Sequence, residues 1–367
     1  MKVVHVLNMA NNAYHIVKAL RRNGFDSDLI ISSADFGMGL PMWEELELQE
    51  DPYDINFRWL LEKFDLPEWM KIWWNDELNS KPLKILDLFR LIKEYDLLHL
   101  HQPSPLYLQF SGKPYIVHEA GWIRRLATLN TSKEKLGRRS YAHAEYILMT
   151  NPDTYSLLNC LEYKREIFIP FVVDPDKYKP VETEKHEELL FFHPTRQIWD
   201  VKGNYNLIQA FAQFIKKGWK AKLRMVDWGF KEDVALTKKL LTRLRLDPYI
   251  EWVSPYSKPQ LIKVYSECDA VFDQFLLGSG GTICYEAMAC KAPVVIYLNH
   301  WNEKCFGEMP PVVNAQTVDE IYNAMTFLTD PNFRRKVGER ERAFVLRHNH
   351  PNTIAHKLIK LYKEVYL

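Results

Sequence analysis

The sequence predicts an α/β protein of two domains, each built on an open parallel sheet. Three observations predict it. Short apolar runs alternate with stretches of helical periodicity along most of the chain, the pattern of βαβ units. At 367 residues, 47% of them hydrophobic, the chain is too long for one comfortable core. The alternation also restarts after a polar, charged stretch at 181–188.

Taken in order, residues 3–7 form a first strand, and Met9-Ala10-Asn11-Asn12-Ala13 turns the chain into a helix at 15–22 that stops at Asn23-Gly24. Residues 28–32 are the next strand and complete a βαβ unit. Further strands are expected at 97–100, 115–117, 146–149 and 167–169. An excursion at 42–93 interrupts this domain. It shows no clear strand, carries Trp43, Trp59, Trp69, Trp73 and Trp74, and is read as helical, ending in a buried helix over 83–92. The second pattern opens with a strand at 189–193. Helix 206–217, strand 222–226, helix 234–245, strand 250–253, helix 258–268 and strand 270–272 lead to a glycine loop. A buried strand near 293–298 and helices at 318–328, 331–345 and 353–365 close the chain. Domains are thus expected at 1–172 and 189–345, with a C-terminal segment at 346–367. Two such domains imply a cleft faced by the carboxyl ends of their strands.

Composition narrows the function. Lys and Arg number 48 against 47 Asp and Glu, a formal net charge of +1, which argues against broad electrostatic binding of nucleic acid. The five cysteines show no CxxC spacing and read as reduced core residues, which points to a cytoplasmic setting. The start of the chain is too short an apolar run for a secretory signal. No stretch reaches the roughly 18 apolar residues of a membrane span.

Three groups of residues could carry chemistry. In Gly278-Ser279-Gly280-Gly281-Thr282, a glycine-rich turn opens a helix, offering free N–H groups and the positive end of a dipole to a phosphate. Glycines alone could equally make a sharp turn. Glu286, however, follows on a largely apolar helix, where a carboxylate needs a partner, and the two adjacent hydroxyls of a ribose would supply one. Arg196 and Lys202 follow the first strand of the second domain. Each alone reads as a surface charge, but together they form a candidate diphosphate clamp. In the first domain His99 and His101 share one face of a strand and His118 ends another. No HExxH-like spacing accompanies them, so no metal site is expected, and a strand-end histidine better suits a sugar hydroxyl.

On these residues the chain resembles the retaining glycosyltransferases of the two-Rossmann-domain (GT-B) type, in family 4 (glycosyl transferases group 1). Glu286-Ala287-Met288-Ala289-Cys290-Lys291-Ala292-Pro293-Val294-Val295 is similar to the family's EAMACGxPVV. Arg196 and Lys202-Gly203 stand where the family has its donor-phosphate cations. Residues 169–180 resemble its IPNGVD…F.P interdomain segment, and the His99–His101 and His118 segments its histidine-bearing strand ends. The chain departs from the pattern in three places. The first glutamate of the family's E-x7-E falls on Gly278, Lys291 replaces a glycine, and Asn11-Asn12-Ala13 stands in place of a Gly-Gly loop. Asparagine tolerates unusual backbone angles, so a tight loop is still expected there.

The resemblance implies a GT-B fold with an interdomain cleft. It implies a metal-independent, hexosyltransferase-like enzyme of glycan biosynthesis, with no tightly bound cofactor. A sugar would pass from a nucleoside-diphosphate sugar to the hydroxyl of a glycan, lipid-linked or small-molecule acceptor, with retention of configuration. His118, Arg196 and Lys202 would be catalytic. Asn12, Arg196, Lys202, Ser279, Gly280, Gly281, Thr282 and Glu286 would bind the donor. The C-terminal helix of look-alike enzymes packs back on the first domain. Two alternatives are a sugar-nucleotide epimerase of the same fold and an inactive sugar-binding homologue, the latter suggested by Gly278. The aromatic segment at 56–75 reads either as a core beneath a helical pair or as an acceptor surface. The second version would allow weak peripheral contact with the inner face of a membrane.

Overall fold

The computed structural model describes residues 1–48, 61, 64–75, 82–184 and 186–366. Its strands are β1 (Val3–Val6), β2 (Ser27–Ser32), β3 (Met70–Trp73), β4 (Leu97–His101), β5 (Tyr115–Glu119), β6 (Tyr146–Met149), β7 (Glu166–Phe168), β8 (Leu189–His193), β9 (Ala221–Val226), β10 (Ile250–Val253), β11 (Ala270–Phe272), β12 (Val294–Ile296) and β13 (Val313–Asn314). The α-helices are α1 (Asn12–Arg22), α2 (Pro41–Glu45), α3 (Pro82–Leu91), α4 (Pro105–Leu108), α5 (Ile123–Thr128), α6 (Ser132–His143), α7 (Trp199–Lys202), α8 (Asn204–Lys216), α9 (Lys231–Arg243), α10 (Lys258–Glu267), α11 (Thr282–Ala289), α12 (Trp301–Phe306), α13 (Val318–Phe327), α14 (Pro331–His348) and α15 (Pro351–Tyr366).

The strands make two sheets, ordered β3-β2-β1-β4-β5-β6-β7 and β10-β9-β8-β11-β12-β13, with parallel pairings throughout. The chain divides accordingly into two compact units. One holds Met1–Leu46, the described residues up to Val172, and α15; the other holds Val173–Asn349 with Glu47 and Leu48. In each sheet the strand order reverses once, between β1 and β4 and between β8 and β11. Loops at the carboxyl ends of strands flanking such a reversal splay apart and leave a crevice.

In the first unit, strand periodicity puts Val3, Leu97 and Ile116 on one face, where α1 and α15 cover them. Ile16, Ala19 and Leu20 of α1 meet Ile354, Ala355, Leu358, Leu361 and Tyr362 of α15 there, a stripe at helical spacing. The opposite face carries Val4, Val6, Leu98, Leu100 and Val117. In the second unit a core of Phe191, Phe211, Phe214, Phe272 and Met325 fills the space between sheet and helices.

The excursion differs from its expectation. Met70–Trp73 is a strand, the parallel edge partner of β2, with Leu29 opposite Met70 and Ser32 opposite Trp73. The run is only four residues long and is flanked by Trp69 and Trp74, so its period-2 alternation is lost among aromatics that would suit a helix equally well. The aromatic segment also splits. Trp73 is buried and its indole donates to Lys84 O at 2.8 Å. Trp69 is half-buried, with its ring 5.8 Å from that of Tyr14, while Trp74 is 39% exposed. Trp59 and the reading of 49–60 as helical lie outside the described residues. The two-residue β13 was likewise not anticipated, being too short to carry a pattern. Among the described residues no helix is long and apolar enough to cross a membrane, and all five cysteines are free thiols.

Candidate active site

The carboxyl half of the first sheet is polar where its amino half is apolar. On the face that holds Val3, Leu97 and Ile116, the next residues along each strand are His5, His99, His101 and His118. Register sets His5 beside His99 and His101 beside His118. All four rings are 0–2% exposed. Burial holds each imidazole in its neutral form: His118 is pushed down to about 3, and His5, His99 and His101 well below the usual histidine range. The His99 and His101 rings stack 4.9 Å apart, and those of His101 and His118 4.7 Å apart. Ring nitrogens of His5, His99 and His101 come within 4.8 Å of one another, close enough to consider a shared metal ion. Hydrogen bonds already engage both nitrogens of His5 and of His99, and Nε2 of His101.

Asn12 and His118, assigned separately from the sequence, come together. The Asn12 amide nitrogen is 3.0 Å from His118 Nε2, which also lies 2.6 Å from the Thr150 hydroxyl. Asn12 Oδ1 is buried with no hydrogen-bond partner among the described residues. The loop before Asn12 is tight, as the asparagines suggested: Ala10 and Asn11 have φ of 49° and 57°. Buried Asn8 and Asn11 hold it in place. Asn8 donates to Asn11 Oδ1 and Gly39 O at 2.7 Å each, and Asn11 donates to Met38 O and Leu40 O at 3.0 Å each.

The second unit builds its polar cluster at the corresponding reversal, from the loops after β8 and β11. Lys202 Nζ donates to Gln274 Oε1 at 2.6 Å, and the Gln274 amide in turn donates to the carbonyl of Ser279. One side chain thus ties the lysine to the glycine loop, two elements singled out independently in the sequence. Thr195 donates to Asp273 at 2.8 Å. Burial raises the Asp273 carboxyl above its usual range, and the Lys202 charge and the Thr195 bond partly offset the rise. Arg196 lies 5.3 Å over the Trp228 ring, with its carbonyl accepting from Asn204 at 3.3 Å. Asn204 also reaches His193 at 2.8 Å, which makes His193 a buried brace of this loop. Gly281, the residue before α11, supplies no side-chain cap, so the first N–H groups of that helix open onto the loop of Ser279, Gly280 and Gly281.

Glu286, expected to find its partner in a ribose, has partners within the protein as well. Lys258 Nζ is 2.5 Å from Oε1 and the Tyr265 hydroxyl 3.4 Å from Oε2, and Glu286 is only 3% exposed. Lys258 opens α10, distant in sequence, which is why the apolar surroundings of Glu286 gave no hint of the pair. Gln274, Asp273, Thr150, His5 and Tyr362 were also missed. Asp273-Gln274 had a legible signal, two polar residues directly after an apolar strand. Tyr362 had none within its amphipathic helix.

The structure also accounts for Gly278. Its φ is +82°, and a Cβ there would meet the Asn299 side chain at 3.0 Å. Its carbonyl accepts from Asn299 N at 3.0 Å and Asn302 Nδ2 at 2.8 Å. Gly278→Ala is expected to cost about 1–2 kcal/mol and Gly278→Asn less, since asparagine visits left-handed angles more readily. Thermal melts of both variants test this; equal loss in the two would argue against a backbone origin.

Residues 174–344 match the family model described as glycosyl transferases group 1. No curated protein matches the chain in sequence. Solved structures do match. Anabaena HepE in complex with UDP and glucose aligns with a TM-score of 0.75 at 15% identity, covering 99% of each chain. Sucrose-phosphate synthase from Thermosynechococcus elongatus aligns with a TM-score of 0.70 at 15% identity, over 100% of this chain and 99% of that one. S. aureus TarM, in complex with Fondaparinux, alpha-GlcNAc-glycerol and UDP, gives 0.69 at 10% identity, over 99% and 100%. Over residues 174–344 the chain is thus similar to the glycosyl transferases group 1 family, and as a whole it has the GT-B fold of these glycosyltransferase structures.

Proposed function

We propose that the enzyme transfers a hexose from a nucleoside diphosphate to a hydroxyl with retention of configuration, without a metal, as family 4 enzymes do. The observation that carries this is the Lys202–Gln274–Ser279 bridge, which sets a cation beside a glycine loop and an uncapped helix start. Arg196, Lys202 and the N–H groups around Ser279, Gly280, Gly281 and Thr282 hold the diphosphate and stabilise its charge as it leaves. Glu286, its geometry fixed by Lys258 and Tyr265, takes the ribose hydroxyls on lone pairs those bonds leave open. Asn12 Oδ1, which has no partner among the described residues, receives a hydroxyl of the transferred sugar beside His118. A UDP-sugar is the first donor to test, since the HepE and TarM structures carry UDP.

The first unit supports a place for the acceptor. A cavity of about 550 Å³ opens at the carboxyl ends of β1, β2 and β4, its lining including Asp35, Phe36, Met38, Trp122, Arg125 and Lys133. Aromatic rings and charged groups together suit a saccharide or a lipid-linked headgroup.

Binding of a panel of nucleotide sugars, followed by transfer assays with EDTA present, tests the reading. A UDP-sugar that binds and turns over with its anomeric configuration kept supports it, and an inverted product or strict metal dependence refutes it. Glu286→Gln is expected to weaken UDP binding about tenfold, close to one charge-assisted hydrogen bond. A calorimetric titration showing no change would remove Glu286 from the donor site.

A further inference from the structure

The loop after β2 carries a carboxylate that the first unit leaves unmatched. Asp35 lines the cavity of about 550 Å³ at the carboxyl ends of β1, β2 and β4 and is only partly exposed. Its Oδ1 accepts from the N–H of Phe36 at 3.0 Å, and the side chain has no other hydrogen bond or ion pair among the described residues. Burial pushes the carboxyl up to about 7, with only the Phe36 bond opposing the rise. The loop holds the group in place. Ser32 Oγ accepts from Ala34 N at 3.0 Å, Asn8 donates to Gly39 O at 2.7 Å, and Asn11 donates to Met38 O and Leu40 O at 3.0 Å each. A Cβ at Gly39 would come within 2.8 Å of Asp35 Oδ1 and 3.1 Å of Oδ2, so glycine there leaves the carboxylate its room.

A second acceptor shares the lining. Gln102 is 7% exposed, and its Nε2 donates to the Tyr141 hydroxyl at 2.8 Å. That hydroxyl donates in turn to the Glu119 carboxylate, which also accepts from the N–H groups of Gly121 and Ile123. The carboxylate sets the direction, because it only accepts: Tyr141 gives its proton to Glu119 and accepts from the Gln102 amide. Gln102 Oε1 is then the remaining end of the amide, buried and with no partner among the described residues. A carboxylate and a carbonyl without donors cost stability unless a ligand supplies them.

Charge narrows the class of ligand. The other charged residues in the lining are Arg125, ion-paired to Glu134 at 3.0 Å, and the exposed Lys133. With Arg125 compensated, the lining sets one carboxylate against one ammonium. A cationic ligand would suit Asp35 and be repelled by Lys133. A phosphate would suit Lys133 and be repelled by Asp35. A hydroxyl both donates and accepts, so an uncharged ring bearing several can serve Asp35, Gln102 and Lys133 together. The rings of Phe36 and Trp122 offer apolar surface to its C–H face. We propose that Asp35 is the residue that selects the acceptor, its carboxylate receiving a hydroxyl of an uncharged saccharide while Gln102 Oε1 receives a second. The choice of an uncharged sugar over a phosphorylated one rests on the reading of this cavity as the place of the acceptor. Binding of hydroxyls by Asp35 does not require transfer.

The test is a saturation-transfer NMR titration at about pH 8, where Asp35 is ionised. Glucose, galactose and mannose are the uncharged probes and glucose-6-phosphate the charged one. At least one uncharged sugar should bind the wild type, about tenfold tighter than glucose-6-phosphate. Asp35→Ala should weaken that sugar about tenfold, the loss of one charge-assisted hydrogen bond. Asp35→Asn, which keeps the shape and loses the charge, should narrow the gap to glucose-6-phosphate to about threefold or less. Neither variant should lower the melting temperature at this pH, since both remove an unmatched charge from the fold. A merely structural Asp35 would give the opposite pattern, a lower melting temperature with sugar binding unchanged. No binding by any of the three sugars, equal affinity in wild type and Asp35→Ala, or tighter binding of glucose-6-phosphate by the wild type overturns the proposal. Calorimetry with UDP and UDP-glucose reports the donor site separately, and both Asp35 variants should bind UDP as the wild type does. A wild type that binds the sugar but neither nucleotide would count against glycosyl transfer and leave the Asp35 site standing.

Discussion

Lys202→Ala is expected to lower kcat for release of the nucleoside diphosphate by about 10²–10³-fold, the usual consequence of removing one preorganised group that stabilises a leaving charge. The lysine is well placed for this. It sits one residue before Gly203, whose φ of +71° lets the chain reverse between α7 and α8. Its ammonium is steered by Gln274, a neutral amide that orients the charge without cancelling it. Gln274 keeps its bond to Ser279 when Lys202 is removed, so the glycine loop should stay in place and the effect should fall on charge stabilisation. Arg196→Ala should act in the same direction. Steady-state kinetics with the best donor of the panel, alongside melting curves, check both. Near-normal kcat/KM in both variants, with the fold intact, would remove the clamp.

The doubly repeated βαβ pattern was legible because parallel strands buried on both faces are short apolar runs, and eleven of them stood out between turn residues. Element positions for site residues were legible for the same reason, since loops at the carboxyl ends of strands next to an order reversal are where ligands bind. What escaped was pairing at a distance. β3 is recognised as a strand only through its partner β2, because four residues rich in bulky side chains fit either period. Glu286 looked unpartnered because Lys258 is contributed by another helix. Gly278 looked like the loss of a carboxylate, while the structure shows a backbone angle that a side chain would strain. The histidines could be placed on strands one at a time. That they form a single hydrogen-bonded chain depends on Tyr362, near the end of the sequence, in a helix whose period announces only that one face is buried.

That chain also makes the first unit sensitive to acid. A histidine whose folded pKa is depressed contributes stability above its unfolded value, near 6.5, and loses it as the pH falls from there toward the folded value. Below 6.5 the unfolded state binds the extra proton and the folded state does not. For His118, held down to about 3 by burial, the loss at about pH 5 comes to about 2 kcal/mol. His5, His99 and His101 shift in the same direction for the same reason, with the charges of neighbouring histidines adding to it. All four groups therefore push stability in the same direction as the pH falls. Chemical denaturation between about pH 7.5 and about pH 5 should therefore show a steep fall, and hydrogen exchange should show β1, β4 and β5 opening together. His118 accounts for about 1.4 kcal/mol per pH unit of that slope below about pH 6.5. His118→Asn, which removes one titrating group, should flatten it by about that amount at the cost of some stability at neutral pH. A stability that stays level across this range would mean that the four rings can accept a proton where they stand, and that burial does not hold them neutral.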